Sequence, residues 1–231
     1  MKRKKRILLV LLALALIISG LGYWQRNNIE ALLLSRKMTQ EELADKIVEQ
    51  QEKTVEISRQ AGVDVRALTE EEREAIHKSE ISREELIDRI TATQSPSPAD
   101  TSTPDIPTPD TPAQDPNAML REQLSRLIAE IYVMEAEYTG WLENANQAAI
   151  DDFNALPGAE RTTANKFDIG MKYLSLAKDK EAECDAKMSE LESNIRSVLK
   201  QLGEPTSLVD EIHATYLEEK AAKKAYYLGL H

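Results

Sequence analysis

The sequence predicts an all-α protein: an N-terminal transmembrane helix, short helices, a Pro-rich linker, and an elongated antiparallel three-helix bundle that resembles a coiled coil. Three observations predict this fold class. An uncharged apolar run follows a basic head at the N terminus. Charged residues make up 30% of the chain and aromatic residues only 5%, which favours long solvated helices over a β-sandwich. In the C-terminal half, apolar residues recur at alternating spacings of four and three, as they do in helical bundles.

The N-terminal anchor is predicted from the basic head and the apolar run. Residues 1–6 carry five Lys and Arg residues, and residues 7–24 contain no charged residue. Such a run forms a helix of about 27 Å, close to the ~30 Å hydrocarbon core of a bilayer. The positive-inside rule keeps the head in the cytoplasm and places the bulk of the chain outside it. The alternative is a secretory signal peptide cleaved near Gly20, after which the protein would be secreted.

Short helices are predicted in a membrane-proximal region, residues 25–92. Three of them begin with a hydroxyl residue that is followed three positions later by Glu, which is the capping-box pattern. The three capping residues are Thr39, Thr69 and Ser82. The expected helices cover about 40–60, 70–78 and 83–91. Gly62 follows the first helix and supplies the left-handed residue that ends it.

A disordered linker is predicted at residues 93–117. It holds seven of the nine prolines in the chain and no Lys or Arg. Much of the remainder is Thr, Ser and Asp, so the segment has too few apolar side chains to form a core. We expect an extended, polyproline-like spacer that rises about 3.1 Å per residue.

Three helices are predicted for residues 118–231. Asp115 and Pro116 would supply the cap and the first turn of the first helix. Pro157 ends this helix, and Gly203 ends the second one. The loops between the helices are short, which makes the helices antiparallel neighbours, and we therefore expect an up-down-up bundle.

The heptad pattern of the second helix predicts a seam along its whole length. The seam consists of Phe167, Gly170, Leu174, Ala177, Glu181, Cys184, Met188, Leu191, Ile195, Val198 and Leu202. Gly170 is expected to permit close approach of a neighbouring helix, and Cys184 to be a small buried residue. Glu181 is expected either at the edge of the seam or paired with a lysine of the third helix.

The composition excludes several classes of function. The chain has a net charge of −11, and every region beyond the basic head is acidic. It therefore lacks the basic face that nucleic acid or an anionic membrane surface requires. The residues His77, His213 and His231 have no Cys or His at ligand spacing, so we expect no metal site. No motif for catalysis or for a cofactor is present, and we expect neither.

The C terminus holds a candidate interaction patch. Cations in a last helical turn suit the helix dipole, but two adjacent tyrosines beside leucines also resemble an interface hot spot. Such a patch would bind a protein partner or mediate self-association. It comprises Lys223, Lys224, Tyr226, Tyr227, Leu228 and Leu230.

Three segments of the C-terminal half, residues 183–187, 206–210 and 220–227, resemble a group of single-pass bacterial envelope proteins with a helical extracytoplasmic domain. This resemblance implies no activity or ligand. Together, the observations predict a non-enzymatic, membrane-anchored scaffold or adaptor that presents a helical bundle to a protein partner. The alternative is an extracytoplasmic ligand-binding or sensory module that acts through a membrane partner, since helical bundles can enclose small pockets.

Overall fold

The computed structural model describes residue 31, residues 33–92 and residues 117–228. The predicted basic head, the transmembrane segment and residues 93–116 of the linker lie outside these residues. All regular elements of the described residues are helical, which confirms the all-α class for this part of the chain. No helix among the described residues is both long enough and apolar enough to cross a membrane.

The described helices closely follow the predicted ones. They are α1 (Gln40–Gln60), α2 (Glu70–His77), α3 (Arg83–Thr91), α4 (Ala118–Ala155), α5 (Thr163–Leu202) and α6 (Ser207–Leu228). A 3₁₀ turn, Gly158–Glu160, lies between α4 and α5. Residues 33–37 are also helical and precede α1.

The three predicted N-caps are present. The amide of Glu42 donates to the Thr39 hydroxyl at 3.2 Å, and the Thr39 amide donates back to the Glu42 carboxylate at 2.7 Å. Thr69 makes the same capping box at the start of α2. Ser82 caps α3 with its hydroxyl alone. These contacts satisfy amides that a helix start otherwise leaves without a partner.

Two predicted helix ends are also present, whereas one predicted start is different. Gly62 and Gly203 both have left-handed backbone conformations, with φ of 74° and 76°. The next amide in each case donates back into the last helical turn, as in a Schellman motif. The prediction for α4 was wrong by two residues, because Asn117 is the N-cap and its side chain makes no capping bond.

The chain forms two compact units whose boundaries fall inside α1 and α6. Among the described residues, the first unit contains residues 31, 33–54 and 210–228, and the second contains residues 55–92 and 117–209. This division differs from the predicted three-helix bundle, because α6 from Asp210 onward shares a unit with α1. The heptad pattern shows that a helix has a face to bury, but it does not identify the neighbour that covers it.

The first unit combines a small apolar cluster with a polar contact between antiparallel α1 and α6. Ala31, Leu43 and Ala225 are buried together. Nearby, the Gln51 amide donates to Glu219 at 3.0 Å, and Lys223 lies 2.8 Å from the same carboxylate. These groups are buried, so the Glu219 carboxylate would destabilise the fold if Gln51 and Lys223 did not contact it.

The second unit is built on α4. The α5 helix runs antiparallel to α4, and the short helices α2 and α3 also pack on α4. As a result, α4 is buried on nearly all sides from Ile128 to Ala136. Two ion pairs fasten α3 to α4: Arg83 with Glu137, and Arg126 with Asp88 at 2.6 Å.

The predicted linker connects two elements of one compact unit. The residues before it, in α3, and the residues after it, in α4, both belong to the second unit. The sequence pattern predicted a spacer between two separate regions. Proline-rich composition identifies a segment that cannot form a core, but it gives no information on whether the flanking helices pack together.

Candidate functional site

The part of the α4–α5 hairpin nearest its turn, residues 141–180, contains no buried residue. We call this part the arm. Closer to the other end of α5, Cys184, Met188, Leu191 and Ile195 are all buried. The arm therefore consists of two helices that cover each other only partly, although 18 of its 40 residues are apolar.

The seam predicted for α5 is buried from Cys184 to Val198 and is not buried in the arm. Phe167 is 65% exposed and Leu174 is 59% exposed, although both were predicted to face the core. A helix with 3.6 residues per turn drifts by about 20° per heptad from a strict seven-residue repeat. Over the five heptads from Leu202 back to Phe167, this drift amounts to about 100°, which is enough to turn the seam residues outward.

Other residues join the two helices of the arm. The Lys172 ammonium lies 2.8 Å from Asp152, and the Tyr173 hydroxyl donates to the same carboxylate at 3.0 Å. The bond from Lys172 holds the pKa of Asp152 below its ordinary value, and Tyr173 lowers it further. At the turn, Arg161 donates to the carbonyls of Asn154 and Leu156 at 2.6 and 3.0 Å. Polar contacts therefore join the two helices of the arm, and the pattern of apolar residues did not predict them.

One side of α5 is exposed and carries no charge from Thr163 to Ser175, and Lys178 follows one turn later on the same side. Its residues span about 140° of the helix at 100° per residue. We call this side the α5 outer face, and it consists of Thr163, Ala164, Phe167, Gly170, Met171, Leu174 and Ser175. An apolar stripe wider than about 100° is typical of a helix side that packs on another element. A methyl group added at Gly170 would meet no atom within 4 Å, so this face is open to solvent.

The large apolar residues of this face are the strongest signal of an interaction surface in the described residues. Met171 is 48% exposed and lies between Phe167 and Leu174 on the same stripe. On the same helix, Leu176 is 44% exposed but lies about 200° around the axis from Leu174. Contiguous exposed apolar residues mark sites of protein contact more often than single ones do.

A second feature is a cavity of about 520 Å³ between α2 and α4. Its lining is mostly charged or polar and includes Arg73 and His77 of α2, Lys78 at the C-cap of α2, and Thr139 and Glu143 of α4. The mixture of cations and carboxylates suits a polar ligand better than an apolar one.

His77 packs directly on Gly140 at this cavity. A Cβ atom at Gly140 would lie 2.4 Å from Cδ2 of the imidazole, so only glycine leaves room for the ring. The Nδ1 atom of His77 is 3.3 Å from a carboxylate oxygen of Glu143, and Nε2 is buried without a hydrogen-bond partner. The contact joins residues that are 63 positions apart, and no local pattern in the sequence indicates it.

The predicted C-terminal patch does not form one exposed surface in the described residues. Lys223 is buried against Glu219, and Lys224 is only partly exposed. Tyr226 packs against the buried cluster of the first unit, and its carbonyl accepts a bond from Gln40 at 3.1 Å. The remaining members, which are Leu230 and the side chains of Tyr227 and Leu228, lie outside the described residues.

The single cysteine and the predicted carboxylate of α5 were also located. Cys184 is buried as predicted, and burial raises the pKa of its thiol. The neutral thiol is a poor nucleophile, because thiolate is the reactive form. Within the described residues, no group of three or more His, Cys, Asp or Glu side chains could hold a metal ion. Glu181 is half-buried in the middle of α5.

The comparisons with known proteins give no further assignment. No protein-family model, no curated protein and no solved structure matches this chain. The resemblance to envelope proteins therefore stays a prediction, and the geometry of the arm and the cavity is the basis for a functional proposal.

Proposed function

We propose that this protein is a non-enzymatic, membrane-anchored extracytoplasmic scaffold or adaptor whose arm binds a protein partner. The single observation that carries the proposal is the α5 outer face, which exposes Phe167, Met171 and Leu174 on one side of the helix. Exposing these side chains to water costs about 25 cal/mol per Å² of apolar surface, and a partner that covers them regains this free energy.

The anchor and the localisation belong to the same proposal. Residues 7–24 would span the membrane once, residues 1–6 would stay in the cytoplasm, and the bulk of the chain would be extracytoplasmic. The apolar run and its basic flank support this arrangement. Secretion after signal-peptide cleavage is the alternative. Extraction of cell membranes at alkaline pH separates the two, since a retained anchor stays in the pellet and a cleaved protein does not.

Site-specific photocrosslinking in cells tests the arm. A photoreactive phenylalanine analogue replaces Met171 in the full-length chain, and products are identified by mass spectrometry. We expect a discrete crosslinked product at this position, because the side chain is at the centre of the proposed interface. Phe167→Glu in the same chain should abolish the product, since it places an unpaired charge in an apolar contact.

Leu176 provides the matched control for this experiment. It is the same residue type as Leu174 and is 44% exposed, but it lies on a different side of α5. The photoreactive residue at position 176 should give little or no product. Equal products at positions 171 and 176, or none at either, would contradict a role for the outer face.

The cavity beside His77 favours a second candidate function, which is ligand binding or sensing through a membrane partner. Its volume of about 520 Å³ lies in the range of small-molecule sites. Thermal unfolding of the purified chain with cell-wall fragments and peptides tests this function. A bound ligand would raise the melting temperature, and Glu143→Gln should reduce the rise.

A further inference from the structure

We infer that one end of the first unit binds the anionic lipid head groups of the membrane that holds the anchor. We call it the basic end, and it consists of residue 31, residues 33–40 and residues 220–228. This inference rests on the membrane anchor of the proposed function. It adds a second contact with the membrane, made by the folded part of the chain. The position of the basic end, its charge and its exposed side chains each support it.

The fold holds the last turns of α6 beside the start of the first unit. Ala225 is buried with Ala31 and Leu43, and Tyr226 packs against this cluster. The Gln40 side chain donates to the carbonyl of Tyr226 at 3.1 Å, across 186 positions of sequence. Residues 220–228 therefore lie at the same end of the unit as residues 31 and 33–40.

The basic end is close to the predicted anchor along the chain. Only residues 25–30 separate the apolar run from Ala31. An extended chain rises at most about 3.6 Å per residue, so the Cα atom of Ala31 lies within about 25 Å of that of Trp24. An anchor in the bilayer therefore keeps the basic end near the membrane surface.

The charge of the first unit is polarised between the basic end and the remainder. The basic end has five Lys and Arg residues and no Asp or Glu, although the net charge of the chain is −11. The remainder, residues 41–54 and 210–219, has nine acidic and two basic residues, which gives −7. An anionic bilayer attracts the first set and repels the second, and it therefore favours the orientation in which the basic end faces the lipid.

The exposed side chains of the basic end suit a membrane interface. Lys220 and Lys223 are buried, so the exposed Arg36 and Lys37 supply most of the attraction. Leu33 is 49% exposed, and at 100° per residue it lies within about 100° of both cations on one side of the helix. An apolar side chain flanked by cations is typical of a helix that lies in the interface.

The sequence pattern did not indicate this surface, because its two parts lie in regions that are acidic as a whole. Residues 33–40 belong to region 25–92, and residues 220–228 belong to region 118–231. The sum over each region hides the basic stretch within it. Antiparallel packing of α1 and α6 brings the two stretches together, and this packing is a property of the fold.

Fluorescence quenching by brominated lipids tests the contact. The full-length chain is reconstituted into vesicles of phosphatidylcholine, alone or mixed with phosphatidylglycerol. Trp24→Phe and Trp141→Phe remove the native tryptophans, and Tyr227→Trp places a reporter on α6, far from the anchor in sequence. We expect strong quenching in vesicles that contain phosphatidylglycerol. Quenching should be weaker in phosphatidylcholine alone and at high salt, because the attraction is electrostatic.

Ala214→Trp in the same background is the control for position. Ala214 is exposed on α6 and lies about 20 Å along the helix from position 227. We expect the tryptophan at position 214 to be quenched much less than the one at position 227. Equal quenching at the two positions would overturn the inference.

Two pairs of substitutions test the charge. Arg36→Gln with Lys37→Gln should lower the ratio of docked to undocked chains by about 25-fold, since each cation near an anionic surface contributes about fivefold. Lys46→Gln with Lys53→Gln removes the same charge beside Glu218, in the acidic part of the unit, and should change the ratio little. Equal effects of the two pairs, or equal quenching in both kinds of vesicle, would show that the basic end does not bind anionic lipid.

The native Trp24, kept in a chain that carries only Trp141→Phe, tests the anchor separately. Quenching of Trp24 without quenching at position 227 would leave the anchor in place and refute the lipid contact of the basic end. If Trp24 is not quenched, the anchor of the proposed function is wrong, and the inference is refuted with it.

Discussion

Replacement of Gly140 by alanine tests how α2 packs on α4. A Cβ atom there would lie 2.4 Å from Cδ2 and 2.6 Å from Cγ of His77, which is well inside van der Waals contact. The ring must turn away or α2 must shift, and overpacking of this kind costs about 1–3 kcal/mol. The 3.3 Å contact between Nδ1 of His77 and the half-exposed Glu143 would be lost as well, which lowers the free energy of unfolding by about 0.5 kcal/mol.

The same substitution also removes a glycine from the middle of a helix, which is stabilising by about 1 kcal/mol. We therefore expect Gly140→Ala to lower the free energy of unfolding by about 0.5–2.5 kcal/mol. When His77 is first replaced by alanine, the new methyl group meets no ring. In that background, Gly140→Ala should raise the free energy of unfolding by about 1 kcal/mol. The change of sign is the expected signature of the contact.

Urea unfolding of the full-length chain measures both effects. Trp141 is adjacent to Gly140, and its fluorescence reports on this part of α4 when Trp24 is replaced by phenylalanine. Gly170→Ala is the control, because it is also mid-helix but a Cβ atom there meets nothing within 4 Å. It should stabilise in both backgrounds. If Gly140→Ala is equally stabilising with and without His77, the packing described here is incorrect.

Three further predictions concern stability. Arg66 holds the pKa of Glu72 at about 2, below its ordinary 4.5, so the carboxylate contributes stability above pH 4.5 that is lost as the pH falls toward 2. Arg66→Ala should lower the free energy of unfolding by roughly 1–2 kcal/mol at pH 7, with partial exposure of the arginine taken into account. It should also make the urea midpoint depend less on pH between pH 5 and 2. Leu191→Asp should lower the free energy of unfolding by more than about 3 kcal/mol, because Leu191 is buried. Leu174→Asp should change the melting temperature little in dilute protein, because Leu174 is exposed. Equal losses of stability in the two variants would refute the assigned orientation of α5. Gly203→Ala should lower the free energy of unfolding by about 1–2 kcal/mol, because the φ of 76° at this position is left-handed. A lower melting temperature would show this effect.

The ends of the helices could be predicted from the sequence because their signals are local. Thr39, Thr69 and Ser82 act through bonds that span three residues, and Gly62 and Gly203 act through their own backbone conformation. Such effects depend little on the rest of the fold. The sequence therefore predicted α1 to α6 with errors of only one or two positions, whereas the helical residues 33–37 were not predicted.

The contacts between helices could not be predicted in the same way. The heptad pattern correctly placed Leu191 inside, but it also placed Phe167 inside, because the pattern does not include the drift of a straight helix. The contact of His77 with Gly140 depends on how α2 lies across α4. The candidate interaction surface was missed for the same reason, since its residues were assigned to the core.

The ion pairs between α3 and α4 change what the proline-rich segment does for the molecule. The helices that flank it, α3 and α4, are joined by Asp88 with Arg126 and by Arg83 with Glu137, so the segment connects two helices that also contact each other directly. The entropic cost of closing such a loop depends only weakly on its length and rises by about 0.6 kcal/mol for each doubling. Halving or doubling residues 93–116 should therefore leave the second unit folded. In the intact chain, the segment keeps α3 and α4 at an effective concentration on the order of millimolar with respect to each other. Cutting the chain there would leave the two fragments at their concentration in solution. The two halves, expressed separately, are therefore candidates for reassembly.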